Sequence, residues 1–201
     1  HDEARQQLLA GGINAHERAE GTFPPGAVGG ALLPPETRLS WIAMTLPYLG
    51  HADWHGQLRP GYSWNGQANR DVTRRALDEV VNPAIGPSTS DDGFPVTHYV
   101  GVAGVGVEAG KLAANDPKAG MFGYGRTTQR SQIRDGASNT IATLGASDQL
   151  GPWAAGGHAT VRPLAQGPYV DGPDGFGSGQ PGGMLAGMAD GSVRFVSKDV
   201  D

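Results

Sequence analysis

The stretch that decides the fold is residues 184–196, MLAGMADGSVRFV, near the C-terminus. Its centre, Asp190-Gly191, accepts the positive φ values of a tight turn, and the flanks alternate apolar with small or polar residues. This pattern predicts a β-hairpin docked at a sheet close to the N-terminal helix. Alternation along the second strand predicts that Phe195 is buried and that Arg194 is more exposed.

Two further strands are predicted upstream of this hairpin. Residues 99–102 are β-branched, aromatic or small, and residues 141–144 follow a turn at Asp135-Gly136. Because Asp, Gly, Ser and Asn side chains favour local turns, residues 135–140 are predicted to form a structural turn and not an active site.

Helical patterns come earlier in the chain. Residues 2–20 carry an apolar stripe with Asp2 and Glu3 in the first turn, residues 39–46 form a short helix broken by a proline, and residues 69–81 are amphipathic. Helices first and strands later predict an α+β fold with an antiparallel sheet. No composition break divides the chain, so we expect one domain over residues 1–201.

Composition narrows the class of protein. The 201 residues include 33 Gly and 15 Pro, about twice the average share, which predicts a modest core with many loops. A net charge of −5 without a strong basic cluster argues against nucleic acid as a partner. No run approaches the ~20 apolar residues of a membrane span. The sequence starts inside a helical pattern, so any membrane contact is expected only through an apolar helix upstream of His1.

Catalytic motifs are missing from the sequence. There is no Gly-x-Ser-x-Gly elbow, P-loop or His-Glu-x-x-His, and the chain has no cysteine. We therefore expect that the protein is not an enzyme and that it needs no cofactor.

Calcium is the one ion for which a loop offers ligands. Asp171 and Asp174, separated by Gly-Pro, supply the oxygen donors that calcium prefers. Plain turn residues are the favoured interpretation. A second idea, two imidazoles at His51 and His55 sharing a metal at helical spacing, lacks a third ligand in the sequence.

Aromatic residues crowd into the segment 41–64. Half-exposed Trp and Tyr rings stack on sugars, and the same rings anchor small cores. Trp41 is assigned to the core, whereas Trp54, Tyr62 and Trp64 are the candidate residues for binding an extracellular glycan or solute. Exposure of Trp54 and Trp64 is what separates the two interpretations.

Several short motifs, in this order and spacing, resemble those of a large planctomycete family of unknown function. Its members begin with a prepilin-type segment and end in a His-x9-Asp-Gly region, and the family is also catalogued as solute-binding-like. The resemblance covers nearly the whole chain. The motifs are TFPPG at 22–26, SW at 40–41, LPYL at 46–49, Asn69, THY at 97–99 with Gly104, DGASNT at 135–140, PW at 152–153, PGG at 181–183 and ADGSV at 189–193.

The chain departs from that family at three places. Gln180 stands where the motif has His, which removes any role built on that side chain. Asn82 occupies a position where many relatives carry Cys, and Gly145 replaces a usual Glu.

The resemblance implies a pilin-like architecture in which a long N-terminal helix packs on an antiparallel sheet. It further implies an extracytoplasmic location at the cell surface or in the periplasm, with anchoring in a membrane or filament through an upstream stem. The expected function is that of a pseudopilin-like structural subunit, whose partners are copies of itself or other pilin-like subunits. The alternative is a glycan- or solute-binding module.

Overall fold

The computed structural model describes residues 2–30 and 32–200; the parts of the expected 1–201 domain at His1, Ala31 and Asp201 lie outside them. The architecture is α+β, as predicted. The helices are α1 Asp2–Glu20, α2 Trp41–Thr45, α3 Ala52–Gln57 and α4 Arg70–Thr73. The strands are β1 Ala27–Val28, β2 Leu39–Ser40, β3 Tyr99–Val105, β4 Ile141–Gly145, β5 Val161–Leu164, β6 Gly183–Met188 and β7 Val193–Ser197.

The main sheet has five strands in the order β5-β3-β4-β6-β7. Neighbours among β3, β4, β6 and β7 are antiparallel, which confirms the predicted sheet type for these strands. Strand β5 was not predicted, and it pairs parallel with β3. The sheet is therefore mixed at one edge. No helix in the described residues is long and apolar enough to cross a membrane.

Helix α1 lies on one face of this sheet. Gln6 donates from Nε2 to the Leu185 carbonyl and accepts from the Thr143 hydroxyl, which ties the helix to β6 and β4. On the other side of the helix, a Cβ at Gly12 would lie 3.2 Å from Leu49, so this glycine permits close packing. The main core fills the space between this sheet face and the loops around α2.

The C-terminal hairpin forms as predicted, with Met184 paired to Val196 across β6 and β7. Gly191 has φ 94°, and the Asp190 carboxylate accepts hydrogen bonds from the Ser192 amide and hydroxyl at 2.9 and 2.6 Å. These bonds lower the pKa of Asp190. The local turn chemistry therefore determines where the chain reverses.

The predicted burial of Phe195 is wrong: its side chain is 57% exposed. Phe195 pairs with Leu185 on the face that carries α1, but β7 is the edge strand, and α1 packs mainly on β6. The ring instead lies over Gly183, where an added Cβ would come within 2.5 Å of it. Arg194 is exposed, as predicted.

The amphipathic segment 69–81 is much less helical than predicted, with α4 ending at Thr73 and a single 3-10 turn at Asp78–Val80. Remote donors take the carbonyls that a longer helix would need. The Trp153 indole donates to the Arg75 carbonyl at 3.0 Å, and the Arg5 guanidinium donates to the Asp78 carbonyl at 3.1 Å. Pro47 likewise does not end the second helix abruptly, because a 3-10 turn continues to Leu49.

Candidate functional site

Trp64, one of the three aromatic candidates for ligand binding, is a core residue. Its side chain is 9% exposed, its indole donates to the Glu36 carbonyl at 2.9 Å, and its ring meets Phe94 edge-on at 4.8 Å. Arg74 lies over the other ring of this pair, 4.9 Å from the Phe94 centroid. Trp64 thus has no open face on which a sugar could stack. Trp41 is fully buried, as its assignment to the core requires.

Trp54 is half-buried in a small polar cluster. Its ring lies 4.2 Å from that of His51, and the Arg75 guanidinium lies 5.3 Å from its centroid. His51 in turn contacts the Glu79 carboxylate at 3.1 Å. Much of the indole surface is therefore used by neighbours within the chain.

Tyr62 is the most accessible of the three, at 62% exposure. The loop that carries it is held by Asn69, whose amide donates to the carbonyls of Arg59, Tyr62 and Ser63. The Asn69 side-chain oxygen also accepts from the Arg59 amide at 2.8 Å. The backbone that carries Tyr62 is thus held by hydrogen bonds while its ring is exposed. Of the three aromatic candidates, Tyr62 is the one best placed to contact a ligand.

The loop around Asp171 and Asp174 is organised by hydrogen bonds within the chain. Asp174 Oδ2 accepts from the amides of Ala165 and Gln166 at 2.8 and 2.9 Å. Asp171 has φ 53°, and its amide donates to the Phe176 carbonyl at 2.7 Å. The described residues contain no group of three or more His, Cys, Asp or Glu placed to hold a metal ion. Calcium binding at this loop stays a prediction.

Arg162 stands behind this loop and was missed at the sequence level. It is fully buried, and its guanidinium donates to the backbone carbonyls of His158, Asp148, Gln149, Asp174 and Gly175. Burial lowers its pKa to about 10, which leaves the group charged at neutral pH. Five carbonyl dipoles replace the water that this cation gives up. A lone Arg within a Pro-containing strand gives no sequence signal for such a role.

His51, directly before α3, and His55 within it have different neighbours. His51 pairs with Glu79, whereas His55 lines a separate cleft of about 360 Å³ with His16 and Glu20. Desolvation and the nearby His16 lower the pKa of His55, so the neutral imidazole predominates there at neutral pH. His16 Nδ1 lies 3.1 Å from the Thr22 carbonyl, so this nitrogen is the donor in that hydrogen bond.

Three polar side chains from distant segments meet where α1 begins. The Asp2 carboxylate accepts from the Tyr99 hydroxyl at 2.7 Å and from Gln180 Nε2 at 3.0 Å. Tyr99 is fully buried and Asp2 is 7% exposed. Gln180 therefore connects the C-terminal loop to the helix. This cluster holds three segments of the chain together.

A second buried polar cluster adjoins it. Asn82 donates from its amide to His98 Nδ1 at 3.2 Å and from its side chain to the Ser178 carbonyl at 3.1 Å. His98 Nε2 and Ser178 Oγ are both buried without a hydrogen-bond partner among the described residues. Burial lowers the pKa of His98. Asn82 thus bridges two segments through hydrogen bonds.

The predicted turn at 135–140 is present, with Gly136 at φ 83° and a 3-10 turn at Ala137–Asn139. It is held by the Asn139 side chain donating to the Asp135 carbonyl and the Thr140 hydroxyl donating to the Gly136 carbonyl. The motif residues here make local backbone contacts of the kind that define a turn.

A family model described as protein of unknown function DUF1559, with the short name SBP_bac_10, matches residues 4–150 and 145–201. These two matches together span nearly the whole chain. No curated protein and no solved structure matches it.

Proposed function

Because the chain belongs to the DUF1559 family, we propose that it is the non-enzymatic, pseudopilin-like domain of an extracytoplasmic protein, with a structural or assembly role. The observation that carries this proposal is the seam between α1 and the sheet. There the Asp2 carboxylate accepts hydrogen bonds from Tyr99 and Gln180, so these polar side chains are used to tie the helix to the sheet.

The packing of α1 supports the same function. One side of the helix is buried through Gln6, Leu9 and Ile13, and Leu8 on the other side remains 42% exposed. A helix that lies flat on its own sheet and keeps an apolar residue outward has a surface for a neighbouring helix. Self-assembly or assembly with other pilin-like subunits would use that surface.

Electron microscopy of the native, full-length protein on its cells tests this proposal. We expect antibody-labelled filaments or surface clusters, and Leu8→Glu should disperse them because it places a charge in the helix contact. Gln7→Glu, on an exposed position one residue away, is the matched control and should leave assembly intact. Dispersed single copies in the wild type, or equal assembly in both variants, would contradict the proposal.

The alternative function is binding of an extracellular glycan or solute, and the exposed ring of Tyr62 is what favours it. Titration with neutral oligosaccharides, followed by calorimetry, tests this alternative. Tyr62→Ala should weaken binding by about 10-fold or more, since stacking of one ring contributes on the order of 1–2 kcal/mol. Tyr169→Ala is the control, because that ring belongs to another surface. Equal affinities of the wild type and Tyr62→Ala would show that Tyr62 is not part of a glycan-binding site.

A further inference from the structure

The face of the sheet opposite α1 carries an apolar groove of about 260 Å³. We call it the outer groove. It crosses all five strands of the sheet, because its lining comes from every one of them and from the two segments that flank them. The lining residues are Val105, Ile141, Leu144, Leu164, Tyr169, Met184, Val196 and Val200.

Part of this lining is open to solvent. Val105 is 52% exposed and Val200 is 44% exposed, although both are aliphatic. Phe176 and Val170 cover the neighbouring part of the same sheet face, where they pack with Val100 and Val102. The outer groove is therefore the part of the apolar face that the chain itself leaves uncovered. A contiguous apolar surface with a polar rim is typical of a binding site.

The rim of the groove along β7 is positively charged. Alternation places Arg194 on the same face as Val196, and Arg194 is paired across the hairpin with Ala186. Lys198 is exposed in the turn that directly follows β7. Neither side chain has a hydrogen bond or ion pair with any residue that the structure describes. The carboxylate near Arg194 is that of Asp190, which already accepts a hydrogen bond from the Ser192 hydroxyl. The charge of Arg194 contributes to the lowered pKa of Asp190 without a direct bond. Two exposed cations thus stand beside an apolar trough without counter-charges in contact.

We propose that the outer groove binds a single-chain aliphatic carboxylate, with the alkyl chain in the trough and the carboxylate at Arg194 and Lys198. The volume supports one chain, since it falls just below the range of about 300–1,000 Å³ for drug-sized ligands. Tyr169 lies in the lining, and its hydroxyl, which bonds none of the described residues, can donate to an oxygen of the same ligand. This inference does not depend on the assembly role proposed above.

Two other occupants fit the groove less well. In a dimer with a two-fold axis, the outer groove of one copy would face the outer groove of the other. Arg194 and Lys198 of one copy would then lie against the same two cations of its partner, and like charges repel. An anionic bilayer would meet only these two cations on a protein with net charge −5, whereas stable surface attachment uses clusters of about four to eight. A monomeric aliphatic carboxylate is the occupant that matches both the apolar lining of the groove and the cations at its rim.

Calorimetric titration with monomeric dodecanoate tests the proposal. We expect saturable binding of one anion per chain, about 10-fold weaker for decanoate, because each buried methylene contributes a fixed increment. Dodecyltrimethylammonium has the same chain with the opposite charge, and it should bind about 10-fold more weakly than dodecanoate. Comparable affinity for the two head groups would overturn the role of the cationic rim.

Two pairs of variants localise the site. Val105→Glu should weaken dodecanoate binding by at least about 10-fold, because it puts a carboxylate in the trough. Val107→Glu is the matched control: Val107 is 75% exposed, lies outside the lining and should keep the affinity within about twofold. Arg194→Gln with Lys198→Gln should weaken binding about 5-fold, whereas Arg134→Gln with Lys118→Gln should not. All of these positions are exposed, and circular dichroism verifies that the variants fold.

Three results would overturn the inference. The first is the absence of saturable binding at millimolar dodecanoate. The second is co-sedimentation with phosphatidylglycerol vesicles in the absence of binding to the monomeric anion, which would assign the groove to a membrane. The third is a dimer that sedimentation detects in the wild type and that Val105→Glu dissolves, which would assign the groove to a second copy.

Discussion

The Tyr99 hydroxyl donates a 2.7 Å hydrogen bond to the Asp2 carboxylate, joining residues 97 positions apart. The bond ties the first turn of α1 to the start of β3. Both side chains are buried, so neither is fully solvated by water, and Gln180 supplies the only other side-chain bond to Asp2 in the described residues. The helix is thereby held in position at the end where it enters the domain.

Tyr99→Phe should lower the free energy of unfolding by about 1.5–3 kcal/mol, because it removes a hydrogen bond to a buried carboxylate. Chemical denaturation at pH 7 measures the change. Tyr62→Phe, at an exposed ring, is the control and should be neutral. A Tyr99→Phe protein as stable as the wild type would show that the bond does not hold the helix.

The same residue predicts how stability depends on alkaline pH. Burial and the adjacent Asp2 raise the pKa of the Tyr99 phenol above its ordinary value of 10.0. Above about pH 10 the unfolded chain releases a proton that the folded chain keeps, so stability should fall as the pH rises. Burial also raises the pKa of Tyr124, so Tyr99→Phe should reduce this slope without removing it. An unchanged slope would contradict this assignment.

His98 predicts a loss of stability in acid. Its folded-state pKa lies below the ordinary 6.5, and its Nδ1 accepts from the Asn82 amide. Between the two pKa values the unfolded state binds more protons, so stability that is complete above pH 6.5 is lost as the pH falls. Melting curves from pH 7.5 to 5 should show this loss, and His98→Gln should flatten it. His158→Gln is the comparison: the pKa of this exposed histidine is lowered as well, so the variant measures how much of the acid loss comes from a residue other than His98.

Arg162→Lys should lower the free energy of unfolding by about 3 kcal/mol or more. A single ammonium group cannot reach the five carbonyls that the guanidinium bonds, and several buried acceptors would be left unpaired. Thermal unfolding provides the measurement, with Arg134→Lys at an exposed position as the control. Equal melting temperatures for the two variants would show that Arg162 is not needed for stability.

Phe195→Ala should cost about 1 kcal/mol or less, in contrast to the 3–5 kcal/mol that a buried Phe would give. The ring is mainly in solvent and loses only its contact with Gly183. Met184→Ala, on the neighbouring strand but 1% exposed, should cost about 2–5 kcal/mol. Denaturant midpoints compare the two, and a larger effect at Phe195 would mean that β7 is covered in solution.

For the loop at Asp171 and Asp174 we expect no calcium dependence of the melting temperature at millimolar concentration. The Asp174 carboxylate already bonds two backbone amides, and the Arg162 guanidinium bonds the carbonyl of the same residue. Asp174→Ala should lower stability by about 1–2 kcal/mol with or without calcium. A melting temperature that falls on chelation and recovers with calcium would establish an ion site.

What the sequence by itself determined are the features that depend on neighbouring residues. Asp190-Gly191 determined the hairpin turn, and Gly136 determined the turn before β4. Each depends on backbone conformation and on hydrogen bonds over a few residues, which short motifs describe well. The order of helices and strands followed from the same local patterns, and so the fold class was predictable.

The tertiary structure alone decided which predicted surfaces are covered. Phe195 alternates correctly, yet its ring is exposed because β7 is the edge strand and α1 packs mainly on β6. Trp64 is buried because Phe94 from a later loop meets its ring. The Arg75 carbonyl accepts a hydrogen bond from the Trp153 indole, and the helix predicted for residues 69–81 ends early, at Thr73. Which side chains are buried and which carbonyls are paired depends on residues distant in sequence. The free energies of these contacts exceed the intrinsic helix and strand propensities of a short segment.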